Sequence, residues 1–202
     1  MNLPNKLTIL RIILVPIMVI IPFLNIQGEF FNIPISLLII DAIFIIASIT
    51  DKLDGSIARK RNLVTNFGKF LDPIADKILV LAAMVMLVEM NKLPAWIPII
   101  VLFREFVVSG YRLIAVENGG QVIAASIWGK IKTATQMVAI ILMFIDKFAF
   151  ANFLNTTIRA TMSSFEFIFN IIVSTLMFVS VIAAIFSGWD YIKGGKDLFK
   201  DR

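Results

Sequence analysis

The sequence reads Asp51-Lys-Leu-Asp54-Gly-Ser-Ile-Ala-Arg59 and, after eight more residues, Gly68-Lys-Phe-Leu-Asp72-Pro-Ile-Ala-Asp76. A helix turns by about 100° per residue, so the aspartates of each stretch, three or four residues apart, share one helix face. Two such helices facing each other would bring four carboxylates to one point. Carboxylates in an apolar chain are costly without a counter-charge or a function. Because hard divalent cations take oxygen ligands, the pattern predicts a metal site.

The residues between these aspartates fit a phosphate-containing ligand. Gly55 and Ala58 lie on the same predicted face as the first two acids, and their small size would let a bulky ligand reach the helix backbone. Arg59 follows them and can bind a phosphate as a two-pronged donor. Two cations held by carboxylates can bridge a diphosphate and neutralise a leaving group, so the motif favours phosphoryl or phosphatidyl transfer.

The composition is that of a membrane protein. The 202 residues are 59% hydrophobic with a mean hydropathy of +0.91, whereas soluble domains are about 45–50% apolar. The absence of His and Cys disfavours catalytic zinc and excludes Ser-His-Asp and Cys-His nucleophilic catalysis. The net charge of +5 sits in short segments between apolar runs, so we expect no nucleic-acid partner. We expect residues 1–202 to form a single integral membrane catalytic domain.

Six apolar segments are long enough to be predicted as spans. They are Thr8–Phe23, Pro34–Thr50, Phe70–Val88, Pro94–Val116, Ile123–Ile145 and Phe165–Ser187. With both termini inside, sixteen Lys and Arg residues face the cytoplasm and three face the other side, which satisfies the positive-inside rule. This predicts a multi-pass protein of the cell membrane whose acidic motif is cytoplasmic. We further expect the second helix to continue past Asp51, since Gly55 is the one turn signal before Arg61.

A second set of polar residues lies in and beside the fourth and fifth segments. Its members are Arg104, Ser109, Arg112, Ser126, Lys130 and Lys132. Arginine inside a membrane segment is rare and tends to face the interior of the bundle. We therefore predict an anion pocket for a phosphate on a second substrate; the alternative is that these cations only anchor helices to lipid headgroups.

The amino-terminal stretch carries Asn5, Thr8 and Arg11 at helical spacing, so the three side chains can face one way. We predict that they help to bind the donor substrate. The alternative is a helix that lies flat in the membrane interface.

The Asp51–Asp76 pattern resembles the signature of the CDP-alcohol phosphotransferase family at every fixed position. The resemblance implies an all-α fold of six transmembrane helices, a homodimer, and an enzyme that displaces CMP from a CDP-linked donor. It implies Mg²⁺ or Mn²⁺, as two ions, held by Asp51, Asp54, Asp72 and Asp76. It also implies that Asp76 is the general base. The positions implied to bind the CDP part of the donor are Asp54, Gly55, Ala58, Arg59 and Gly68.

Three further stretches resemble one bacterial branch of that family. They are the opening Asn2–Thr8, Phe103–Arg112 and Ala124–Gln136. This branch joins CDP-diacylglycerol and glycerol 3-phosphate into phosphatidylglycerophosphate. Within the family, phosphatidylglycerol (as in cardiolipin synthesis), inositol phosphate and serine remain alternative acceptors. A cation transporter lined by the aspartates is an alternative of another class, disfavoured because the acids cluster at one membrane face and no inverted repeat is visible.

Overall fold

The computed structural model describes the backbone of residues 3–60, 66–117 and 126–194, and the side chains of residues 5–50, 71, 74–115 and 126–194. Seven α-helices lie in these ranges. They are α1 (Leu3–Ile20), α2 (Ile35–Lys60), α3 (Asn66–Glu89), α4 (Trp96–Glu117), α5 (Ile127–Ile145), α6 (Thr156–Arg159) and α7 (Ser164–Gly194). Two short 3₁₀ turns, Ile21–Leu24 and Asn152–Leu154, follow α1 and precede α6.

The segment between α1 and α2 adds a small element to the predicted all-α fold. Strands β1 (Glu29–Phe30) and β2 (Ile33–Pro34) pair antiparallel. The two linking residues have left-handed backbones, with φ of 52° at Phe31 and 59° at Asn32. Two residues of positive φ are what a tight hairpin turn requires. The pair is too short to carry a periodic signal, so the sequence did not predict it.

The prediction that the second helix continues through the acidic motif is confirmed, because α2 runs without a break from Ile35 to Lys60. Helix α3 then carries the second half of the motif. The backbone is therefore helical at all four aspartates. Residues three or four positions apart share one face only in a helix, so this condition of the prediction is met. The side chains at positions 51–70, 72 and 73 lie outside the described residues.

Each of the six predicted apolar segments falls on a long helix, with shifted ends. Helix α5 begins at Ile127, where the Ser126 hydroxyl accepts a hydrogen bond from the Gly129 N–H (3.3 Å) as a helix cap. The predicted start of this segment, Ile123, lies outside the described residues. Helix α7 continues seven residues past the predicted Ser187 to Gly194, where the Gly194-Gly195 pair is the first turn signal.

Three described helical segments are long and apolar enough to cross a membrane: Asn5–Leu24, Ile127–Ile145 and Ser164–Gly194. The apolar part of α2, Ile35–Thr50, is shorter. The chain is therefore a mostly helical membrane protein. The six-span topology stays a prediction, because polar residues interrupt α3 and α4.

The chain divides into two compact units. The first comprises residues 1–92 and 141–147, and within it α1 packs against both α2 and α3. Met18, Phe44 and Leu79, one from each helix, are almost fully buried in its core. In a membrane such contacts stabilise through close van der Waals packing, because lipid tails are as apolar as these side chains.

One lysine closes the carboxyl end of α5 within this first unit. Lys92 Nζ donates to the backbone oxygens of Met143 (3.2 Å), Phe144 (3.2 Å) and Asp146 (2.5 Å). The last carbonyls of a helix have no partner inside the helix, and a cation there also meets the negative end of the helix dipole. Lys92 thus ties the α3–α4 loop to the end of α5.

The second unit comprises residues 93–140 and 148–202, and α4 packs along α7 within it. Side chains of α7 also hold the loop at 148–154. Asn170 Oδ1 accepts from the Phe153 N–H (3.1 Å), and Asn170 Nδ2 donates to the Ala149 oxygen (3.0 Å). The Ala151 N–H donates to the Ser174 hydroxyl (2.9 Å). Backbone groups that would otherwise need water are satisfied by two buried side chains.

Candidate functional site

The predicted metal ligands are carried by two consecutive helices of the first unit. Asp51 and Asp54 lie in the last third of α2, and Asp72 and Asp76 lie in the first half of α3. Of these four side chains only that of Asp76 is described, and it is half-buried. Among the described side chains, no group of three or more acids, histidines or cysteines is placed to hold a metal. The donor set itself, four carboxylates on two neighbouring helices, has the chemistry that Mg²⁺ and Mn²⁺ take.

The donor-binding positions in α2 and α3, namely Gly55, Ala58, Arg59 and Gly68, have a described helical backbone only. Those in α1 are described in full. Asn5, Thr8 and Arg11 are 8%, 1% and 1% exposed, and all three engage polar or charged partners. Lys6 and Leu10 beside them are exposed. The three polar side chains therefore share the buried face of α1, as their spacing predicted, and α1 packs on α2 and α3.

In the second unit, Glu105 links two of the predicted acceptor-binding cations. Its Oε1 accepts from Arg104 Nη1 (2.8 Å) and from Lys132 Nζ (2.7 Å). The cations come from different helices, α4 and α5, and only 12% and 8% of their side chains is exposed. Charged hydrogen bonds of this kind are short and about twice as strong as neutral ones. We call Arg104, Glu105 and Lys132 the Glu105 cluster.

The guanidinium of Arg104 lies where three helices meet. Its Nη2 donates to Ser187 Oγ on α7 (2.5 Å). A Cβ at Gly129 of α5 would lie 3.2 Å from the same Nη2 and 3.4 Å from Ser187 Oγ. A Cβ at Gly188 of α7 would lie 3.5 Å from Arg104 Cγ. Small residues let helices approach closely, and here they leave the space that Arg104 fills.

The other predicted acceptor-binding residues lie along the same helices. Arg112 Nη2 donates to the Tyr191 hydroxyl (2.8 Å), with the guanidinium 5.5 Å from the ring centre. Ser109 Oγ donates to the backbone carbonyl oxygen of Glu105, one turn earlier in α4 (2.6 Å). Ser126 caps α5, and Lys130 is exposed in its first turn. The structure therefore brings Arg104 and Lys132 together, and places Arg112 and Lys130 as the more exposed cations.

The Glu105 cluster can hold an anion. Two cations against one carboxylate leave a net positive charge, and the buried Nε of Arg104 has no hydrogen-bond partner among the described atoms. A phosphate oxygen would supply one, and arginine and lysine donate to phosphate through charged hydrogen bonds.

Sequence reasoning missed the residues that orient these cations. Neither Glu105 nor Gly129 is among the residues predicted for the anion pocket. Ser187 and Tyr191 lie 83 and 79 residues from their partners in the chain, so no local spacing could reveal the contacts. One available signal was the small pair Ser187-Gly188 in an apolar helix, which is typical of a helix-packing interface.

Comparison with known proteins gives one consistent result. The model of the family "CDP-alcohol phosphatidyltransferase" matches residues 1–186. A Bacillus subtilis protein named CDP-diacylglycerol–glycerol-3-phosphate 3-phosphatidyltransferase is 42% identical, over 98% of this chain and 97% of its own length. Proteins of the same name are 45% identical in Haemophilus influenzae (69% of this chain, 73% of its length) and 33% identical in Rickettsia bellii (98% and 97%). The acidic motif on α2 and α3 and the match over nearly the whole length agree, and the chain belongs to the CDP-alcohol phosphatidyltransferase family of enzymes.

Proposed function

We propose that this chain transfers the phosphatidyl group of CDP-diacylglycerol to glycerol 3-phosphate, forming phosphatidylglycerophosphate and releasing CMP. The observation that carries the proposal is similarity over 98% of the chain to a protein named for this reaction. A cationic cluster on α4 and α5, separate in sequence from the acidic motif, fits an acceptor that is itself an anion.

The acidic motif is proposed to hold two divalent ions. Asp51, Asp54, Asp72 and Asp76 would be the ligands, since carboxylate oxygens are what Mg²⁺ and Mn²⁺ prefer. When bound, such ions neutralise the charge of a diphosphate and of its leaving group. The buried face of α1 with Asn5, Thr8 and Arg11 packs on these helices and would contribute polar groups to the donor.

The chemical step needs one proton acceptor from this chain. Asp76 is proposed to take the proton of the attacking glycerol hydroxyl. The hydroxyl oxygen forms a bond to the β-phosphorus of the donor, and the bond from that phosphorus to the oxygen of CMP breaks in line. CMP leaves with the electron pair of that bond. An ionised carboxylate suits this role at neutral pH.

The acceptor is proposed to be recognised by its phosphate. Glycerol 3-phosphate offers few apolar contacts, so its charged phosphate is the main handle. Arg104 and Lys132 of the Glu105 cluster, with the more exposed Arg112 and Lys130, would supply the donors. Ser109 and Ser126 lie one turn from these cations along α4 and α5 and belong to the proposed pocket.

We also propose the topology that this function requires. Six helices would cross the cell membrane in a homodimer, with both termini and the acidic motif in the cytoplasm, where water-soluble glycerol 3-phosphate is made available. The excess of Lys and Arg in the segments assigned to that side supports the orientation. Residues 1–202 would form one catalytic domain.

An acceptor panel tests the reaction. Purified protein in detergent with CDP-diacylglycerol and Mg²⁺ is given glycerol 3-phosphate, phosphatidylglycerol, inositol phosphate or serine, and CMP release is measured. We expect CMP release with glycerol 3-phosphate and with none of the other three acceptors. Release with another acceptor would reassign the branch, and no release with any acceptor would favour a transporter.

Substitution of the four aspartates tests the metal site. Asp51→Asn, Asp54→Asn and Asp72→Asn should each remove most activity while the protein still inserts and folds. The reason is that the loss of any one carboxylate ligand leaves the charges of a two-ion site unbalanced. Near-wild-type turnover in any of the three contradicts the assignment. Asp76→Asn should lower kcat far more than donor affinity, and a parallel collapse of both would refute the base role.

A further inference from the structure

In the Glu105 cluster, two buried cations lie side by side, which requires a carboxylate between them. Arg104 and Lys132 reach the same carboxylate oxygen, at 2.8 and 2.7 Å, from two different helices. Like charges this close repel, and burial removes the water that would screen them. The carboxylate between them offsets the repulsion. Glu105 is thus the group that allows two buried cations to lie side by side.

The position of Arg104 is fixed by shape as well as by charge. Its guanidinium fills the space left by the missing side chain of Gly129, where a Cβ would stand 3.2 Å from Nη2. A contact of 3.2 Å is tighter than most Cβ contacts, so a methyl group there would push the guanidinium by a few tenths of an ångström. Such a shift would stretch the hydrogen bonds to Glu105 and Ser187.

We propose that Glu105 and Gly129 are positioning residues for acceptor recognition: the carboxylate of Glu105 pairs Arg104 with Lys132, and the bare backbone of Gly129 seats the guanidinium, so that both cations meet one phosphate group. The inference rests on the proposed function and adds to it the device that holds the acceptor-binding cations. Neither residue touches the reacting atoms. Each acts through Arg104 or Lys132.

A purely structural role for these residues makes a different prediction. Loss of a buried partner that served only folding would lower stability and the amount of folded protein, with the Michaelis constants of the folded fraction unchanged. A positioning role changes the KM for glycerol 3-phosphate and leaves the KM for CDP-diacylglycerol alone, because the donor is bound by other residues. The two KM values, measured on the same preparation, separate the two roles.

The first arm of the experiment varies Glu105. Glu105→Ala should raise the KM for glycerol 3-phosphate about tenfold or more, as expected when one charged hydrogen-bonding partner is lost. Glu105→Gln keeps the length and an oxygen that can accept from both cations. It should bring the KM back to within about threefold of wild type, because the geometry survives with weaker bonds.

The second arm varies a single methyl group and has a matched control. Gly129→Ala should raise the KM for glycerol 3-phosphate about threefold, because the methyl group displaces Arg104. Gly110→Ala, in α4, adds the same methyl group where nothing lies within 4 Å. Both changes replace a helical glycine by alanine, which is a better helix former. Gly110→Ala should leave both KM values unchanged.

The outcomes separate this inference from the function on which it rests. A wild-type enzyme that does not use glycerol 3-phosphate overturns the proposed function, and the inference with it. A wild-type enzyme that does use it, with the acceptor KM unchanged in both Glu105→Ala and Gly129→Ala, overturns the inference alone. Equal increases in donor and acceptor KM would also overturn it. Should Glu105→Ala fail to fold, the Gly129 and Gly110 pair decides the matter.

Discussion

The hydrogen bond between Arg104 and Ser187 joins α4 to α7, and Ser187→Ala removes it with little else. Ser187 is 0% exposed, and its hydroxyl accepts from Arg104 Nη2 at 2.5 Å. The alanine variant keeps the helix and loses one oxygen. The guanidinium then loses an acceptor at a position where only 12% of the Arg104 side chain is exposed.

The size of the effect follows from the charge of the donor. A hydrogen bond to a charged group contributes about 1.5–3 kcal/mol to stability, and a buried donor left unpaired costs a similar amount. Ser180 provides the control, because it lies two turns earlier on α7 and is also 0% exposed. Its hydroxyl donates to the Met177 oxygen of its own helix (2.7 Å), a local bond that contributes little. We expect Ser187→Ala to cost about 2 kcal/mol and Ser180→Ala less than about 0.5 kcal/mol.

Unfolding by SDS in mixed micelles, followed by circular dichroism, measures the two free energies under one set of conditions. Ser187→Ala should also raise the KM for glycerol 3-phosphate, since Arg104 keeps its hydrogen bond to Glu105 but loses the one to Ser187. Equal stabilities of the two alanine variants, within about 0.5 kcal/mol, would refute the claim that this contact holds α4 to α7.

Three further predictions concern other contacts. Burial lowers the pKa of Lys92 to about 8, and the nearby carboxylates of Asp146 and Asp41 oppose this change. Between pH 8 and about 10.5 the unfolded chain binds one more proton than the folded chain, so the free energy of unfolding should rise with pH in that window. Lys92→Met should abolish this rise when thermal unfolding is followed across the same pH range. Tyr191→Phe removes the acceptor of Arg112 (2.8 Å) but keeps the ring, and should raise the KM for glycerol 3-phosphate about two- to tenfold; an unchanged KM would separate Arg112 from the acceptor. Asn170→Ala breaks two hydrogen bonds to the loop at 148–154 and should cost about 1–3 kcal/mol in the same SDS titration; a loss below about 0.5 kcal/mol would show that the loop does not need α7.

The helices could be predicted from the sequence because their signals are local. Continuous apolar runs located α1 to α5 and α7, and the lack of a turn signal extended α2 through the acidic motif to Lys60. The exact ends of the helices were harder to predict. The start of α5 depends on a single serine cap at Ser126, and the hairpin before α2 depends on two residues of positive φ.

The site could be predicted in part, for a similar reason. Acids at regular helical spacing indicate a shared face, so Asp51 to Asp76 stood out without any structure. The hydrogen-bond partners of Arg104, Arg112 and Lys132 could not be predicted in this way, because the packing of α4, α5 and α7 determines these contacts. Glu105 could be seen beside Arg104, but its contact with Lys132, 27 residues later, could not. Gly129 carries no side chain, and its contribution is the volume that it leaves to Arg104.

The anchoring of the loop at 148–154 by Asn170 and Ser174 bears on how this protein can be engineered. A fusion partner or an epitope tag inserted at Ala149–Phe153 would separate the loop backbone from the two buried side chains that bond to it, so expression should fall. The next segment is more permissive. Around α6, Thr156–Arg159, the hydrogen bonds are local and exposed, as in the cap formed by Asn155. Insertions there disturb one short turn, which makes residues 155–161 the place to attach a label for topology mapping. Ser163 lies beyond this segment and caps α7 together with Glu166.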